Sequence, residues 1–549
     1  MSSNHSVKEV ERLAPERAGS VFAVVLATVA IFLLAAATRL AYLSGPPFFD
    51  ELYHVLAARG LIEYGEPRIL EGVYNRAPEY TWIVASVFSV FGESLETARM
   101  TSVFFGSALV AALFAWVRHL TGWVGGSVAA AMAILWPTGI EWSQIVRFYA
   151  PFGFLAFLGF ASIYSAVVEA RSFWVKLLLA FWAMVFFYFA LRLQVSLLIG
   201  LVGLGGWFFL FVFLPTIWVH NHRNLVLTSI LLIGCFTAGL IWHLGILDDL
   251  ITRFLWVPDW ALSRQYEQLF YIRLLGEEFP LLWPWIPFVT IIAIAHSPKP
   301  ALFCAVIFGI SLALHSLAGM KSGRYVYYIM PLMFTIYGIA AAAVVPAFVE
   351  LILRASRSAL QAVNMRLATT AMAWALFAVA VIVTLTFQSS GYRAALIVEN
   401  NRPPWTGFAE AILPWVEKSS VLATNRELHA IYYFGHADLI VSPSRLSEIS
   451  DKSEFSMDHR TGLPVISTPT SLTEVIECTP NGIFVLDTQS SFSLPLNEIV
   501  ETLGSRSTLT PIEIQADLKN LEAIYWETAR IGAEHCEVIT DVFAENPSN

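Results

Sequence analysis

The stretch "GPPFFDELYH" (45–54) sets two carboxylates, Asp50 and Glu51, directly after the first apolar run of the chain, with His54 four residues beyond Asp50. Positions four apart share a helix face, so Asp50 and His54 would lie together while Glu51 points elsewhere. A carboxylate beside hydrocarbon has its pKa raised by poor solvation, which suits it to take a proton from a hydroxyl or an amine. A plainer role carries equal weight on the motif alone: Asp50 as the N-cap of a short helix, with Glu51 favoured by the dipole of its first turn. "PPFFDELYHVLAARGLIEYG" has helical apolar spacing after its prolines, so this helix is expected to lie along a membrane interface.

A second set of residues is basic. Arg147, Arg192, Lys321 and Arg324 each begin or end an apolar run. Guanidinium forks match phosphate oxygens, and a departing phosphate needs its growing charge met in the transition state. A single such arginine more often snorkels to lipid headgroups. Four of them on the side of one acid pair point instead to group transfer from a phosphate-linked donor held in the membrane.

The elements that must position these residues are membrane spans. Of 549 residues, 57% are hydrophobic and only 14% charged, well below the ~25% of ordinary globular domains. Runs of roughly 20 apolar residues give about eleven spans: 20–42, 98–117, 122–138, 148–168, 173–191, 194–216, 224–243, 280–296, 300–318, 326–348 and 367–387. With a cytoplasmic N-terminus, every short inside loop carries a base: Arg118; Arg171 and Lys176; Arg223; Lys299; and Arg354, Arg357 and Arg366. His220 and His222 fall on that same side and are topology residues. Asp50, Glu51, the 139–149 loop, Arg192, the 244–280 loop and "MKSGRYVYY" (320–328) then share the outer face, as does everything after about residue 388. Charges near a membrane are costly unless they face protein or water, so their convergence on one face reads as a site.

The 244–280 loop is rich in Trp and Tyr with interleaved charge. Residue by residue this is an interfacial belt, though it could equally form a sugar-stacking lid, with Arg264, Tyr266 and Arg273 as its contacts. After Phe387 the apolar runs shorten. "SSVLATN" and "ADLIVSP" are strand-like and flank the helix-like "RELHAIYYFG"; "NGIFVLDT" repeats the strand pattern and "HCEVITDVF" closes it. The expected organisation is therefore a transmembrane domain over 1–390, with outer loops 44–97 and 244–280, and a small α/β domain over 391–549. Of the four cysteines, Cys235 and Cys304 sit in apolar runs as core fillers, while Cys478 and Cys536 could pair if the tail faces an oxidising compartment. The net charge of −9 comes with no long basic run, so no nucleic-acid partner is expected. No P-loop, dinucleotide fingerprint or nucleophilic triad stands in a credible context.

At these residues the sequence resembles the GT-C membrane glycosyltransferases, in the branch of protein mannosyltransferases and bacterial aminoarabinose transferases. Four stretches over about residues 20–390 carry the likeness: the acid pair after the first span, "FSVFGESLETAR" (88–99), "WSQIVRFYA" (142–150) and "GRYVYYIMP" (323–331). The resemblance implies an inverting transfer from a polyprenyl-phosphate sugar to a lipid, glycan or protein acceptor at the outer face of a bacterial inner membrane. Asp50 would be the base and Glu51 its catalytic companion. His54 would orient the pair or help hold a divalent cation if one is used; no other cofactor is expected. Arg147 and Arg324, with Lys321, would bind the lipid phosphate, beside Tyr149, Arg192 and Tyr325. Relatives often carry a basic residue followed by Pro-Pro-Leu where this chain has "NRAPEY" (75–80); the resemblance implies that Arg76 stands in for the base, while Glu79 replaces an apolar residue. Many relatives also have a histidine near the outer start of the sixth span, where this chain has Gln194. Three rivals remain in view: an oligosaccharide ligase or polymerase with a lipid-diphosphate donor, a lipid or glycan transporter, and a non-catalytic scaffold. A transporter would be expected to show broken helices and repeated halves, neither of which the sequence displays.

Overall fold

The structure is a computed structural model that describes residues 4–41, 43–219, 228, 251–252, 254–257, 259–359, 403–449, 451–488, 508–511, 520–528 and 536. Among the described residues, seven helices are long and apolar enough to cross a membrane: Val21–Leu40, Leu95–Thr121, Tyr149–Glu169, Phe173–Leu193, Leu197–Trp218, Pro298–Leu317 and Gly323–Leu351. The pair Phe270–Glu278 and Trp283–His296, bent by 116°, makes an eighth if it is one broken span. The expected spans 224–243 and 367–387, and the domain boundary at 390, lie outside the described residues.

Two expected spans are corrected. In place of 122–138 there is a 12-residue helix, α5 (Trp123–Ile134), since Gly122 ends one helix at φ 83° and Pro137 starts another. At 1.5 Å per residue it covers roughly 18 Å, short of the ~30 Å hydrocarbon core. In place of 280–296 there is the second arm of the bent pair, where Pro280 and Pro284 withhold the N–H groups a straight helix would need.

The first span is the end of α1 (Asn4–Leu40). The loop after it leads into α2 (Phe49–Tyr64), the hairpin of β1 (Arg68–Ile69) and β2 (Gly72–Val73), and α3 (Pro78–Phe91). α4 (Leu95–Thr121) runs through the centre of the bundle, capped at its start by the Ser94 hydroxyl, which accepts from the Thr97 N–H at 3.0 Å. Its C-terminal turn carries Arg118 and His119, which suits the negative end of the helix dipole. After the short α6 (Pro137–Glu141), the segment 142–148 leads into α7 (Tyr149–Tyr164). That segment can lie against α4 because position 106 is Gly: a Cβ there would collide with the Ser143 side chain.

Beyond residue 403 the chain forms a seven-stranded sheet in the order β5-β6-β4-β3-β7-β9-β8. The strands are β3 (Leu422–Thr424), β4 (Leu439–Val441), β5 (Ser456–Met457), β6 (Pro464–Ile466), β7 (Asn481–Asp487), β8 (Thr508–Pro511) and β9 (Leu521–Glu527). β6, β4, β3 and β7 run parallel, which gives the doubly wound order of an open α/β sheet, and β5, β9 and β8 pair antiparallel at its sides. β7 is the expected "NGIFVLDT" strand; "HCEVITDVF" lies outside the described residues except for Cys536. Cys478 and Cys536 are joined by a disulfide.

α2 does not present an apolar face to a membrane surface. Val55, Ala58 and Leu61 belong to the core of the helical bundle, whereas Leu52, Tyr53, Leu56 and Ala57 belong to a core shared with Trp405, Phe408, Leu428 and Val465 of the α/β domain. The helix is sealed from both sides because its apolar residues cover more than one stripe, and a second domain is there to take the surplus.

Candidate active site

Within α2 the two acids part company. Phe48 occupies the N-cap position, and the Glu51 carboxylate reaches back to accept its N–H at 2.6 Å. Glu51 therefore caps the helix, and Asp50 does not. The same carboxylate is fully buried on Arg99, at 3.0 Å to Nε and 2.5 Å to Nη2, and also accepts the Val146 N–H at 3.1 Å. Arg99 in turn donates to the carbonyls of Leu43, Gly45 and Pro46, closing the loop before the helix. With its oxygens committed to three donor groups and out of reach of water, Glu51 has a structural position rather than a place facing substrate.

Asp50 keeps 29% of its side chain exposed. Its Oδ2 lies 3.3 Å from Arg324 Nη1 and 3.6 Å from Arg147 Nη2, while Arg147 Nη1 donates to the Asp50 carbonyl at 3.0 Å and to the Tyr74 hydroxyl at 3.4 Å. The raised pKa expected for Asp50 is overturned. Burial does push the carboxyl up, but Arg147, Arg324, Arg76 and Arg445 outweigh it and hold the group below the usual carboxylate range. Conversely, Asp50 keeps the buried Arg147 firmly charged despite its loss of solvent.

The cations are framed by aromatic faces. The Arg324 guanidinium lies 5.7 Å from the Trp142 ring, 5.8 Å from Tyr149 and 5.4 Å from Tyr325; Arg147 and Arg76 lie 5.1 and 5.3 Å from Phe148. Arg76 is exposed beside Ala77, whose φ of 48° puts a non-glycine residue in the left-handed region just before Pro78. Such a backbone costs on the order of 1–3 kcal/mol and is kept where surrounding structure enforces it. Three polar atoms around Asp50 are buried with no hydrogen-bond partner among the described residues: Arg147 Nε, Arg324 Nε and the Tyr149 hydroxyl. Buried donors left unmatched beside a surplus of positive charge are the signature of an anion site.

Other expected site residues are placed differently. His54 shares the buried surroundings of Asp50's helix, but its Nδ1 is 2.9 Å from the Thr81 hydroxyl and its ring is edged by Tyr74, Tyr80 and Phe148. Burial first, then Arg147 and Arg76, drive its pKa well below the ordinary value, so it is neutral. Lys321 is turned inward, its ammonium donating to the Gln265 and Ala318 carbonyls at 2.7 and 2.8 Å, and it serves as a loop clamp. Arg192 pairs with Glu79 at 2.6 Å, joining α3 to the Phe173–Leu193 helix. Arg264 is exposed over the Phe270 ring, and Arg273 pairs with Glu267 at 2.7 Å. None of these four joins the contacts of Asp50. Tyr74, Trp142 and Arg445 are neighbours the sequence reading passed over; Tyr74 and Trp142 stood inside or beside quoted motifs, whereas nothing local marks Arg445.

Among the described residues no three metal-type side chains converge, Asp50 is ringed by guanidiniums, and Glu51 and His54 are sealed from it.

No family model matches the sequence, and no curated protein matches it. Solved structures do match. ArnT from Cupriavidus metallidurans bound to undecaprenyl phosphate superposes with a TM-score of 0.58 at 12% identity, covering 94% of this chain and 99% of that one. The archaeal oligosaccharyltransferase AglB from Archaeoglobus fulgidus, in complex with an inhibitory peptide and a dolichol-phosphate, gives 0.55 at 13%, covering 86% and 70%. The protein is thus a polytopic, mainly helical membrane protein with the GT-C fold.

Proposed function

We propose that the chain is an inverting glycosyltransferase that moves a sugar from a polyprenyl-phosphate donor to a nucleophilic acceptor at the outer face of the membrane. The observation that carries this reading is the Asp50 carboxylate held between the buried Arg147 and the half-buried Arg324, each with a buried Nε to spare. The undecaprenyl phosphate of ArnT and the dolichol-phosphate of AglB support the donor class on the same fold.

The chemistry follows from charge. A phosphodiester donor enters with one negative charge and leaves, once the anomeric C–O bond breaks, as a phosphate monoester with up to two. Arg147, Arg324 and the exposed Arg76 meet that growing charge, which is where fixed cations stabilise a transition state most. Asp50 takes the proton of the acceptor O–H or N–H as that atom bonds to the anomeric carbon on the side opposite the phosphate, so configuration inverts. The depressed pKa of Asp50 keeps it ionised at neutral pH. A phosphate bound by Arg147 and Arg324 draws their charge from Asp50 and makes it a stronger base when the donor is in place.

Outer-face action is supported by the run of bases in the opposite loops and by the Cys478–Cys536 disulfide, which suits an oxidising compartment. One second reading is kept because AglB is an oligosaccharyltransferase: an oligosaccharide ligase, for which the donor to be tried is a diphosphate-linked one. One experiment decides both. Purified enzyme is incubated with labelled polyprenyl-phosphate and polyprenyl-diphosphate sugars, and release of label from lipid is followed. Release from the monophosphate, lost about 10²–10⁴-fold in Asp50→Asn, is expected. Release from the diphosphate alone selects the second reading, and undiminished turnover in Asp50→Asn removes Asp50 as the base.

A further inference from the structure

The α/β domain grips the chain on both sides of Asp50. Before it, Pro47–Phe49 meets the segment leaving β3: His429 Nε2 lies 3.2 Å from the Pro47 carbonyl, and the imidazole is layered between Trp405 at 4.4 Å and Phe49 at 5.8 Å. Arg426, tied to Asp487 at 2.7 Å, lies 5.3 Å from the Phe49 ring centre. After it, the Tyr53 hydroxyl accepts from Arg445 Nη2 at 2.6 Å and Arg460 Nη1 at 3.3 Å. Those two arginines are braced by Glu427 and Glu448, each at 2.5 Å.

The second grip reaches Arg147 in two steps. Tyr53 stacks on Tyr74 with centroids 4.7 Å apart and planes 9° from parallel, and the Tyr74 hydroxyl is the one that receives Arg147. The first grip has its own logic. β3 lies between β4 and β7, the point in a doubly wound sheet where the chain leaves in opposite directions and where such sheets hold ligands. Here Asn425 and Asp487 cross-link across that point, Asn425 Nδ2 to the Asp487 carbonyl and the Asp487 N–H to Asn425 Oδ1, each at 3.0 Å. Arg426 and His429 beyond it are turned on Pro47 and Phe49, just before Asp50.

We propose that Arg445 and His429 are positioning residues for the transfer reaction: the α/β domain holds Pro47–Tyr53 at both ends and, through Tyr53 and Tyr74, sets Arg147 against Asp50. This rests on the reading of Asp50 and Arg147 as the reacting pair. The domain is then part of the catalytic unit, and its docking fixes the distance between base and phosphate site.

The test uses full-length protein carrying Arg445→Met, Arg445→Lys or Tyr74→Phe, with turnover, donor affinity and hydrogen exchange of the 48–53 amides measured together. In Arg445→Met, kcat is expected to fall about 10- to 100-fold, as a misplaced reacting group does, with donor affinity changed by less than about threefold. Exchange at 48–53 accelerates, and Arg445→Lys, which restores a cation to Tyr53, recovers part of both. If Arg445→Met does not fold, Tyr74→Phe keeps both cores and removes only the hydroxyl that meets Arg147; its kcat falls while its melting point holds. A folded Arg445→Met or Tyr74→Phe with wild-type turnover overturns the proposal. Wild-type protein that transfers no sugar would instead overturn the proposed function, and the exchange measurement would still report whether the domain holds the loop.

Discussion

Arg147 holds Asp50 at two points, its backbone carbonyl at 3.0 Å and its carboxylate at 3.6 Å, while the neighbouring Glu51 binds the N–H of Val146. The two consecutive acids thus lie on two consecutive residues of one segment. Glu51 fixes where the segment runs, and Asp50 meets the guanidinium that the segment delivers. The same segment is anchored from the first span, since Arg39 Nε donates to the Ser143 hydroxyl at 3.2 Å and Arg39 Nη2 to the Ala133 carbonyl at 3.1 Å.

Arg324→Ala is expected to weaken polyprenyl-phosphate binding about 10- to 100-fold. A hydrogen bond to a charged group contributes ~1.5–3 kcal/mol, and each ~1.4 kcal/mol is tenfold in affinity. Titration of the purified variant with lipid phosphate checks it. Unchanged affinity would return Arg324 to the ordinary fate of an arginine at a helix end.

Glu51→Gln is expected to fail in folding before it fails in chemistry. It leaves Arg99, 1% exposed, without its carboxylate, and breaking a buried pair on one side costs roughly 3–5 kcal/mol. Thermal melting in detergent should show a larger loss for Glu51→Gln than for Asp50→Asn, because Arg147 keeps the Asp50 carbonyl and the Tyr74 hydroxyl as acceptors. A Glu51→Gln protein that melts like wild type yet transfers no sugar would give Glu51 a chemical role after all.

Acidification should loosen the grip on α2. Burial, reinforced by Arg426, lowers His429 to about 3, and burial with Arg147 and Arg76 lowers His54 well below 6.5. The unfolded chain takes up protons near 6.5 at both positions and the native one does not, so stability falls as pH drops below about 6.5. His429 contributes about 1.4 kcal/mol per pH unit between there and about 3. Asp50 acts in the same sense at lower pH: its lowered pKa adds stability that is present above the ordinary carboxylate range and is lost as the pH falls through its folded value. Melting temperature measured against pH should decline below 6.5, and His429→Phe should flatten that decline. An unchanged slope in the variant would mean that His429 is protonated in place.

Much of this was legible in the residues alone. A run of apolar side chains the length of a bilayer has few alternatives to a span, because unsatisfied backbone in hydrocarbon is too costly. Seven of the eleven expected spans recur among the described residues as helices long and apolar enough to cross. The tail's alternation of short apolar strands with a helical stretch foretold β3, the helix Glu427–Phe434, β4 and β7, since period-two and period-3.6 patterns bury different faces. The expected pairing of Cys478 with Cys536 is present. The motifs that singled out Asp50, Arg147, Tyr149, Arg324 and Tyr325 name residues that the fold gathers into one cluster.

What the sequence could not decide is which charge meets which. Glu51 and Asp50 are adjacent and chemically alike, yet one is buried on Arg99 and the other is partly exposed between Arg147 and Arg324. Lys321 and Arg324 are three residues apart, yet one clamps a loop and the other touches Asp50. Arg445, 395 positions from Asp50 by its numbering, helps to lower that carboxyl's pKa. Periodicity reports which face of a helix is buried and a motif reports which side chain is present. The partner of a charge is set by distances across the folded chain, between residues that no local pattern links, and those exist only once both domains have closed on α2.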